Sequence, residues 1–422
     1  MNDQNDLLID VHEKPKSVFQ WVILSLQHVF AMFGSTILVP ALTGLPMSVA
    51  LFASGIGTLI YITVTKAKVP VYLGSSFAYI AAISLYTSQD NEAAAYTGLV
   101  LVGIIYLLIA LVIKLTSKNW IDKLLPPIVV GPMIIVIGLG LASVAVSDLG
   151  LSPATYGDVD LVYPLVGLIT FSVTVAFALM GNGFLRVIPF IFGILAGYIS
   201  SIIFGIVDLS KVFVSDSFFK LPDFQFMFLD YSPDFTGWAV FIPLAFVTIA
   251  EHIGDHTVLG AVTNKDYLHN PGLDKTLTGD GLATAVSALL GGPANTTYGE
   301  NTGVIAMTKI ASVWVIGLAA IFAIFLSFLA PIQDFLNSIP SPVMGGISLL
   351  LFGLIASNGL KILIKAKVDI NDMGNLVIIS AMLVIGLGGA TIFFTENVTL
   401  TGMALAAVVG ISLNQIIQLI KK

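Results

Sequence analysis

Two short stretches, VPVYLGSSFAYI (69–80) and GGPANTTYGENTGVI (291–305), decide how this chain folds. Both lie between long apolar segments, yet both are rich in glycine, hydroxyl side chains and β-forming residues. Their apolar parts, 72–86 and 300–310, are too short to cross about 30 Å of hydrocarbon at about 1.5 Å per residue. We therefore expect two half-helices, each preceded by a short extended strand, with the two strands pairing in a protected cavity.

The rest of the chain has the composition of a membrane protein. Of its 422 residues, 57% are hydrophobic and 10% are charged, whereas a soluble domain has about 25% charged residues. Such a composition excludes a soluble enzyme, a nucleic-acid binder and a disordered chain. Because the chain has no cysteine, it has no disulfides, thiolate metal sites or cysteine nucleophiles.

Apolar segments follow one another almost from end to end and predict an all-α polytopic membrane protein with about fourteen segments. The first seven are 18–39, 47–65, 72–86, 95–113, 128–146, 161–181 and 187–207. The second seven are 237–258, 276–291, 300–310, 312–330, 342–358, 374–390 and 400–420.

The basic residues predict the orientation of these segments. With the N-terminus in the cytoplasm, all 18 Lys and Arg except Lys211 and Lys220 fall on the cytoplasmic side. We therefore expect a plasma-membrane protein with both termini cytoplasmic and an extracellular loop over 208–235. The tail 1–17 lacks the basic start of a signal peptide, so we expect it to be retained.

Several motifs recur about half a chain apart. Gln27-His28 is matched by Glu251-His252, and the two glycine-containing stretches occupy corresponding positions. Since seven is odd, a second copy of seven segments must insert upside down, which predicts inverted repeats over 18–207 and 236–422. This is the plan of secondary transporters, whose substrate sites lie near the membrane midplane where discontinuous helices meet.

Four acidic residues fall within the predicted segments, and each costs about 2.5–3.5 kcal/mol to insert. They are Glu251, Asp255, Asp280 and Glu300. Glu251 and Asp255 are four apart and share one helix face, while Glu300 opens the second half-helix. Carboxylates that share a low-dielectric cavity can bind and release protons near neutral pH. We expect a proton-binding cluster here, with Asp280 in a structural role.

A role in packing stays open for several of these residues. Asp255 could instead hold the half-helices or His256, and His256 could join the proton pathway or simply pack. For His28 and His252 we expect hydrogen-bonded packing. No metal-ligand spacing, catalytic triad or phosphate loop stands out, so we expect no cofactor, with H⁺ as the coupling ion and Na⁺ as the alternative.

The motifs resemble a known transporter family. The pattern EN-x-G-x4-TK, from Glu300 to Lys309, resembles the signature of the nucleobase–ascorbate transporter (nucleobase:cation symporter) family. Across nearly the whole chain, further motifs resemble bacterial uracil permeases: SLQHVFAMFGSTILVP (25–40), YLGSSFAY (72–79), AEHIGDH (250–256), TTYGEN (296–301) and SPVMGGISLLLFG (341–353).

This resemblance implies a division of the molecule and a homodimer. A core domain of segments 1–4 and 8–11 (about 18–115 and 236–330) would move against a gate domain. The gate would hold segments 5–7 and 12–14 (about 124–207 and 338–420).

The resemblance also implies the substrate site. Glu251 and Glu300 would hydrogen-bond the substrate, the backbone amides of Phe77 and Gly299 would meet its carbonyl oxygens, and Tyr298 would line the pocket. Glutamate at 300 favours the uracil branch, because purine-type members commonly have glutamine there. Some uracil permeases carry a histidine, implicated in proton coupling, where this chain has Asp255.

Uracil fits these groups chemically, because it has two N–H donors for carboxylates and two carbonyl acceptors for backbone amides. We therefore expect a proton-coupled uracil importer, not an enzyme, with membrane lipids and no nucleic acid as partners. The proton-coupling candidates are Glu251, Asp255, Glu300 and His256. The alternatives are a purine or xanthine permease, an anion exchanger or channel on the same fold, and an intramembrane enzyme.

Overall fold

The computed structural model describes residues 7–152, 161–181, 184–395 and 398–421. Within these residues, eight helices are long and apolar enough to cross a membrane, and four shorter apolar helices accompany them. The first residues of the expected N-terminal tail, 1–6, and the basic residue Lys422 lie outside the described part. The fold is therefore helical and polytopic.

The first half of the chain begins with α1 (Val18–Thr43) and α2 (Met47–Val64). Strand β1 (Leu73–Ser75) then leads through a 3-10 turn (Phe77–Tyr79) into the short α3 (Ile80–Thr87). The remaining helices are α4 (Glu92–Leu115), α5 (Asn119–Leu124), α6 (Pro127–Gly140), α7 (Ala142–Asp148), α8 (Val162–Met180), α9 (Phe184–Val187) and α10 (Pro189–Ile203).

The second half begins after short turns over Leu209–Lys211 and Phe235–Gly237. It contains α11 (Trp238–Thr263), an irregular turn over Leu268–Gly272, α12 (Leu273–Leu289), β2 (Asn295–Thr297), α13 (Gly299–Thr308), α14 (Val313–Ser327), α15 (Ala330–Asn337) and α16 (Ser341–Lys365). It ends with α17 (Met373–Leu387), the hairpin β3 (Thr391–Thr395) and β4 (Val398–Thr401), and α18 (Gly402–Ile420).

Each predicted segment contains a helix, but some details of the prediction were wrong. The segment 128–146 does lie within one candidate span, Pro127–Asp148, although its helix is interrupted at Leu141 between α6 and α7. The segment expected to reach 207 ends at Ile203, because Gly205 has a φ of +77° that ends the helix. The short helices α5 and α15 and the hairpin β3–β4 were not predicted.

The helices pack in two groups. In the first group α4 packs on α12, α2 on α12 and α14, and α1 on α14. In the second group α6 and α8 pack on α16, α10 on α8, and α17 on α18. The long helices α1 and α11 also contact members of the second group, namely α10 and α18 respectively. The half-helices α3 and α13 both pack against α1, and α13 also packs against α11.

The N-terminal segment, residues 7–14, lies along the connection between α13 and α14. The Leu8 amide donates to the carbonyl of Lys309 at 2.7 Å, and the Val313 amide donates to the carbonyl of Val11 at 2.9 Å. Val11 is fully buried in an apolar cluster. The segment therefore covers the C-terminal end of the half-helix α13.

Candidate binding site

The site begins at the pairing of β1 with β2. The strands are antiparallel, with Gly74 opposite Thr296, so the expected pairing of the two extended segments is present. Glycine is required at position 74, since a Cβ there would collide with the ring of Tyr298. The crossing of two distant chain segments is thus fixed by backbone hydrogen bonds and one close aromatic contact.

Each strand leads directly into the first turn of a short helix. Phe77 begins the turn that continues into α3, and Gly299 begins α13. The first amides of a helix have no intrahelical acceptor, and the helix dipole is positive at this end. Both half-helices therefore offer backbone N–H donors at the crossing, and the Glu300 carboxylate lies in the first turn of the second.

A cavity of about 430 Å³ opens beside these helix starts. Its wall includes the side chains of Glu251 and Asp255 from α11 and of Glu300 from α13. The structure thus places the three candidate carboxylates around one space. Phe77, Tyr298 and Gly299 line the same cavity.

Two of the three carboxylates are held by hydroxyl groups, and one is free. Ser35 Oγ donates to Glu300 Oε1 at 2.6 Å, and Thr297 Oγ1 donates to Asp255 Oδ2 at 2.6 Å. Among the described residues, no side chain or backbone group hydrogen-bonds the Glu251 carboxylate. Glu251 is therefore available to a ligand, while Glu300 and Asp255 each keep one further oxygen for it.

The two aromatic candidates differ in what they can contribute. Phe77 is 7% exposed and is supported edge-on by Phe352, with ring centroids 6.4 Å apart. Tyr298 is 2% exposed, and its hydroxyl donates to the carbonyl of Ser75 at 3.0 Å. Phe77 can therefore form a wall against a flat ligand, whereas Tyr298 mainly holds the two strand–helix units together.

The proton-coupling candidate His256 lies behind the cavity and not in its wall. Its Nδ1 is 2.7 Å from the carbonyl of His252, an acceptor, so Nδ1 carries the proton. In the neutral ring Nε2 is then the acceptor, and the Tyr61 hydroxyl donates to it at 2.5 Å. His256 therefore has no free position toward the ligand.

Asp280 and the other two buried histidines also lie outside the cavity wall. Asp280 Oδ2 is 2.9 Å from His252 Nδ1, with both side chains fully buried. Asn301 Nδ2 donates to His28 Nδ1 at 3.0 Å, which joins α13 to α1. These pairs link the helices that surround the site.

Several residues of the site were not found from the sequence. Ser35 and Thr297 hold the carboxylates, and the second group of helices completes the wall with Ile134, Phe190 and Leu351. No local pattern marks them, because their positions depend on how distant helices pack. Among the described residues, no group of three or more His, Asp or Glu side chains is placed to hold a metal ion.

The sequence matches a known family and well-described relatives. Residues 19–395 match the profile of the Xan_ur_permease family, described as a permease family. The chain is 48% identical over 416 residues to a uracil permease of Bacillus caldolyticus, covering 98% of this chain and 95% of that one. It is 42% identical over 414 residues to the uracil permease of Escherichia coli (strain K12), covering 98% and 94%.

The fold is also found in solved structures of low sequence identity. The transmembrane domain of the cyanobacterial bicarbonate transporter BicA superposes with a TM-score of 0.68 at 17% identity, covering 95% of this chain and 98% of that one. The murine Solute Carrier 26 family member A9 anion transporter gives 0.73 at 10% identity, covering 97% and 70%. Fold and sequence agree: this chain belongs to the Xan_ur_permease family and is a multi-pass membrane permease, not an enzyme.

Proposed function

We propose that this chain is a proton-coupled importer of uracil in the plasma membrane. The observation that carries the proposal is the cavity at the strand crossing, where three carboxylates face two half-helix N-termini. The uracil permeases that share 42–48% of its residues over nearly the whole chain support the substrate.

The proposed contacts pair each polar group of uracil with a complementary group. The two ring N–H groups donate to the carboxylates of Glu251 and Glu300, which accept when ionised. The two carbonyl oxygens accept from the backbone N–H groups of Phe77 and Gly299. The Phe77 ring stacks against the planar base. A purine or xanthine is larger and presents a different order of donors, so competition by purines tests that alternative.

We further propose fourteen segments in two inverted repeats of seven. The pairing of β1 with β2 supports this arrangement, because the two strands come from corresponding positions of the halves. The two groups of packed helices support a core domain that moves against a gate domain. A homodimer is part of the same proposal.

The cavity reaches from Glu251 toward the ends of α11 and α16, where Val262, Lys361 and Lys365 lie. Basic residues mark the cytoplasmic side of a membrane protein, which supports an inward-facing cavity. In transport, a proton on the carboxylate group reduces its negative charge, and uracil satisfies the acceptors that remain ionised. The core domain can then carry the site across the gate domain with less negative charge exposed to hydrocarbon.

One uptake assay tests this function. We expect purified protein in proteoliposomes to accumulate labelled uracil when the outside is acidic, and not when a sodium gradient is imposed at equal pH. Accumulation driven by sodium alone would contradict proton coupling. Uptake that is abolished by xanthine but not by unlabelled uracil would contradict the substrate.

Substitution of the two glutamates tests the site. Glu251→Gln and Glu300→Gln keep the side-chain volume but remove a charged acceptor, so we expect uracil uptake to fall about 10–100-fold in each. Glu92→Gln is the control, because Glu92 is an exposed carboxylate at the start of α4. Full uptake with unchanged pH dependence in both site variants would contradict the mechanism.

A further inference from the structure

We infer that the same cavity binds a pyrimidine nucleoside monophosphate from its open side, with the base inward and the phosphate on Lys361 and Lys365. The inference rests on the proposed function, since the base would lie in the same pocket as uracil, turned so that N3–H meets a glutamate and N1 faces the open side. Such a ligand would block the transporter without crossing the membrane.

The cavity is larger than one pyrimidine ring requires. Its volume of about 430 Å³ lies within the range of about 300–1,000 Å³ that holds drug-sized ligands. On α11 its wall runs from Glu251 to Val262, eleven residues or about 16 Å of helix. Space for a ribose and a phosphate therefore continues outward from the base position.

The charges of the cavity wall are separated along this length. Glu251 and Glu300 lie near the half-helix starts, while the lysines Lys361 and Lys365 lie on the last turns of α16. Asp255 lies one turn along α11 from Glu251, and the rest of the wall includes apolar side chains such as Val258 and Ile362. A ligand that fits both ends is neutral and rich in N–H donors at one end and anionic at the other.

The two lysines are placed to hold one phosphate. They are four residues apart, so they lie on the same face of α16 one turn from each other. Within the described ranges neither forms an ion pair, and Lys361 Nζ donates only to Asn358 Oδ1 at 3.2 Å. Two ammonium groups that no carboxylate neutralises favour a dianionic phosphate.

The lysines also lie at the right depth. A Cβ at Gly254 of α11 would be 3.6 Å from Ile362 Cδ1, so α16 approaches α11 at the turn between Glu251 and Asp255. Lys361 is next to Ile362 and therefore lies near this turn. Lys365 lies one turn further out. This spacing suits a ribose between a base and its 5′-phosphate.

The chemistry of the base explains why a nucleotide would bind more tightly than a nucleoside. In uridine the N1–H donor is replaced by the ribose, so one glutamate is left without its hydrogen bond, which costs affinity. In the monophosphate, contacts with the two lysines offset this loss. We therefore expect uridine 5′-monophosphate to bind more tightly than uridine.

Competition with labelled uracil on the purified transporter tests the inference. We expect uridine 5′-monophosphate to displace uracil at least about tenfold more effectively than uridine, and the advantage to shrink as salt is raised. Ribose 5-phosphate alone should displace little, because it lacks the base. Equal displacement by the nucleotide and the nucleoside, or none by either, would overturn the inference.

The double variant Lys361→Gln/Lys365→Gln assigns the effect to the two lysines. The readout is the ratio of the nucleotide's half-inhibition concentration to uracil's half-saturation concentration, which we expect to rise about tenfold or more. Lys367→Gln is the matched control, since Lys367 follows on the same chain but is not in the cavity wall. An unchanged ratio in the double variant would contradict the assignment.

Anionic lipid headgroups share the phosphate chemistry, so the same assay is repeated in nanodiscs of phosphatidylcholine and of phosphatidylglycerol. We expect displacement by the nucleotide in both. If phosphatidylglycerol stabilises the protein through the two lysines and the nucleotide does not compete in either, the lysines hold lipid and the inference is wrong. Absence of uracil binding in every preparation would instead contradict the proposed function itself.

Discussion

The two strand–helix units at the site share a backbone plan but differ in their side chains. The first unit, residues 69–87, has no acidic or basic residue, whereas the second, residues 293–308, carries Glu300. Each supplies a strand to the central pair and a helix start to the cavity. Both units thus offer backbone N–H donors to the cavity, but only the second offers a charged side chain.

Helix α1 contacts both units and holds them differently. In the first unit the Ser75 hydroxyl donates to the carbonyl of Thr36 at 3.1 Å. In the second, Ser35 donates to Glu300 at 2.6 Å. Helix α1 therefore accepts from a hydroxyl side chain of the first unit through its backbone and donates to the carboxylate of the second through a side chain. The first unit therefore contributes mainly close packing, whereas the second contributes the carboxylate that can bind a ligand.

The largest effect should come from the packing of the first unit. Gly74→Val forces a side chain into the ring of Tyr298, and overpacking typically costs about 1–3 kcal/mol or more. We expect a clearly lower thermal unfolding midpoint of the detergent-extracted protein. Gly303→Ala in the second unit is the control, since a Cβ there meets nothing within 4 Å. A midpoint for Gly74→Val equal to that of Gly303→Ala would contradict the close-packing role.

A smaller effect should come from the support of the charge in the second unit. Ser35→Ala removes a hydrogen bond to Glu300 worth about 1 kcal/mol, so we expect the half-saturation concentration of uracil uptake to rise about fivefold. Ser25→Ala is the matched control on the same helix. Ser25 is buried and donates to the carbonyl of Val315 at 2.9 Å, away from the cavity. Equal changes in uracil affinity for both variants would contradict a specific role of Ser35.

The smallest effect should come from the N-terminal segment, residues 7–14, which covers the C-terminal end of α13. Lys265 Nζ lies 2.6 Å from Asp10 Oδ1. Burial raises the pKa of Asp10, but the hydrogen bonds from Lys265 and the Val11 amide and the charge of Lys265 outweigh it, and the pKa is below its usual value.

The stabilisation from this lowered pKa is present above the ordinary carboxyl pKa of about 3.9 and is lost as the pH falls through the folded-state value. Because both side chains are partly exposed, we expect only about 0.2–1 kcal/mol at pH 7. Asp10→Asn should lower the thermal midpoint slightly at pH 7, with the difference from the unchanged protein shrinking only as the pH falls below about 4. A difference that grows on acidification would contradict this sign.

The central features of the site followed from local sequence patterns. Glycines, hydroxyl side chains and β-forming residues predicted the strands and half-helices, and the four-residue spacing of Glu251 and Asp255 predicted their common face. The hydrogen bond from Ser35 to Glu300 joins residues 265 apart in sequence, and no local pattern encodes that distance. For the same reason the lining from α6, α10 and α16 was not predictable. The hairpin β3–β4 was missed because it lies almost entirely in the short connection predicted between the last two segments, and a run of four or five β-forming residues there does not distinguish a strand from a loop.

The N-terminal segment has a consequence for how the protein is made. Trp314 Nε1 donates to the carbonyl of His12, although the two residues are 302 positions apart. The segment leaves the ribosome before α13 and α14, so the groove that binds it does not exist until those two helices have been synthesised and inserted. It must therefore stay undocked while the helices between are made, and its docking is a late step in biogenesis.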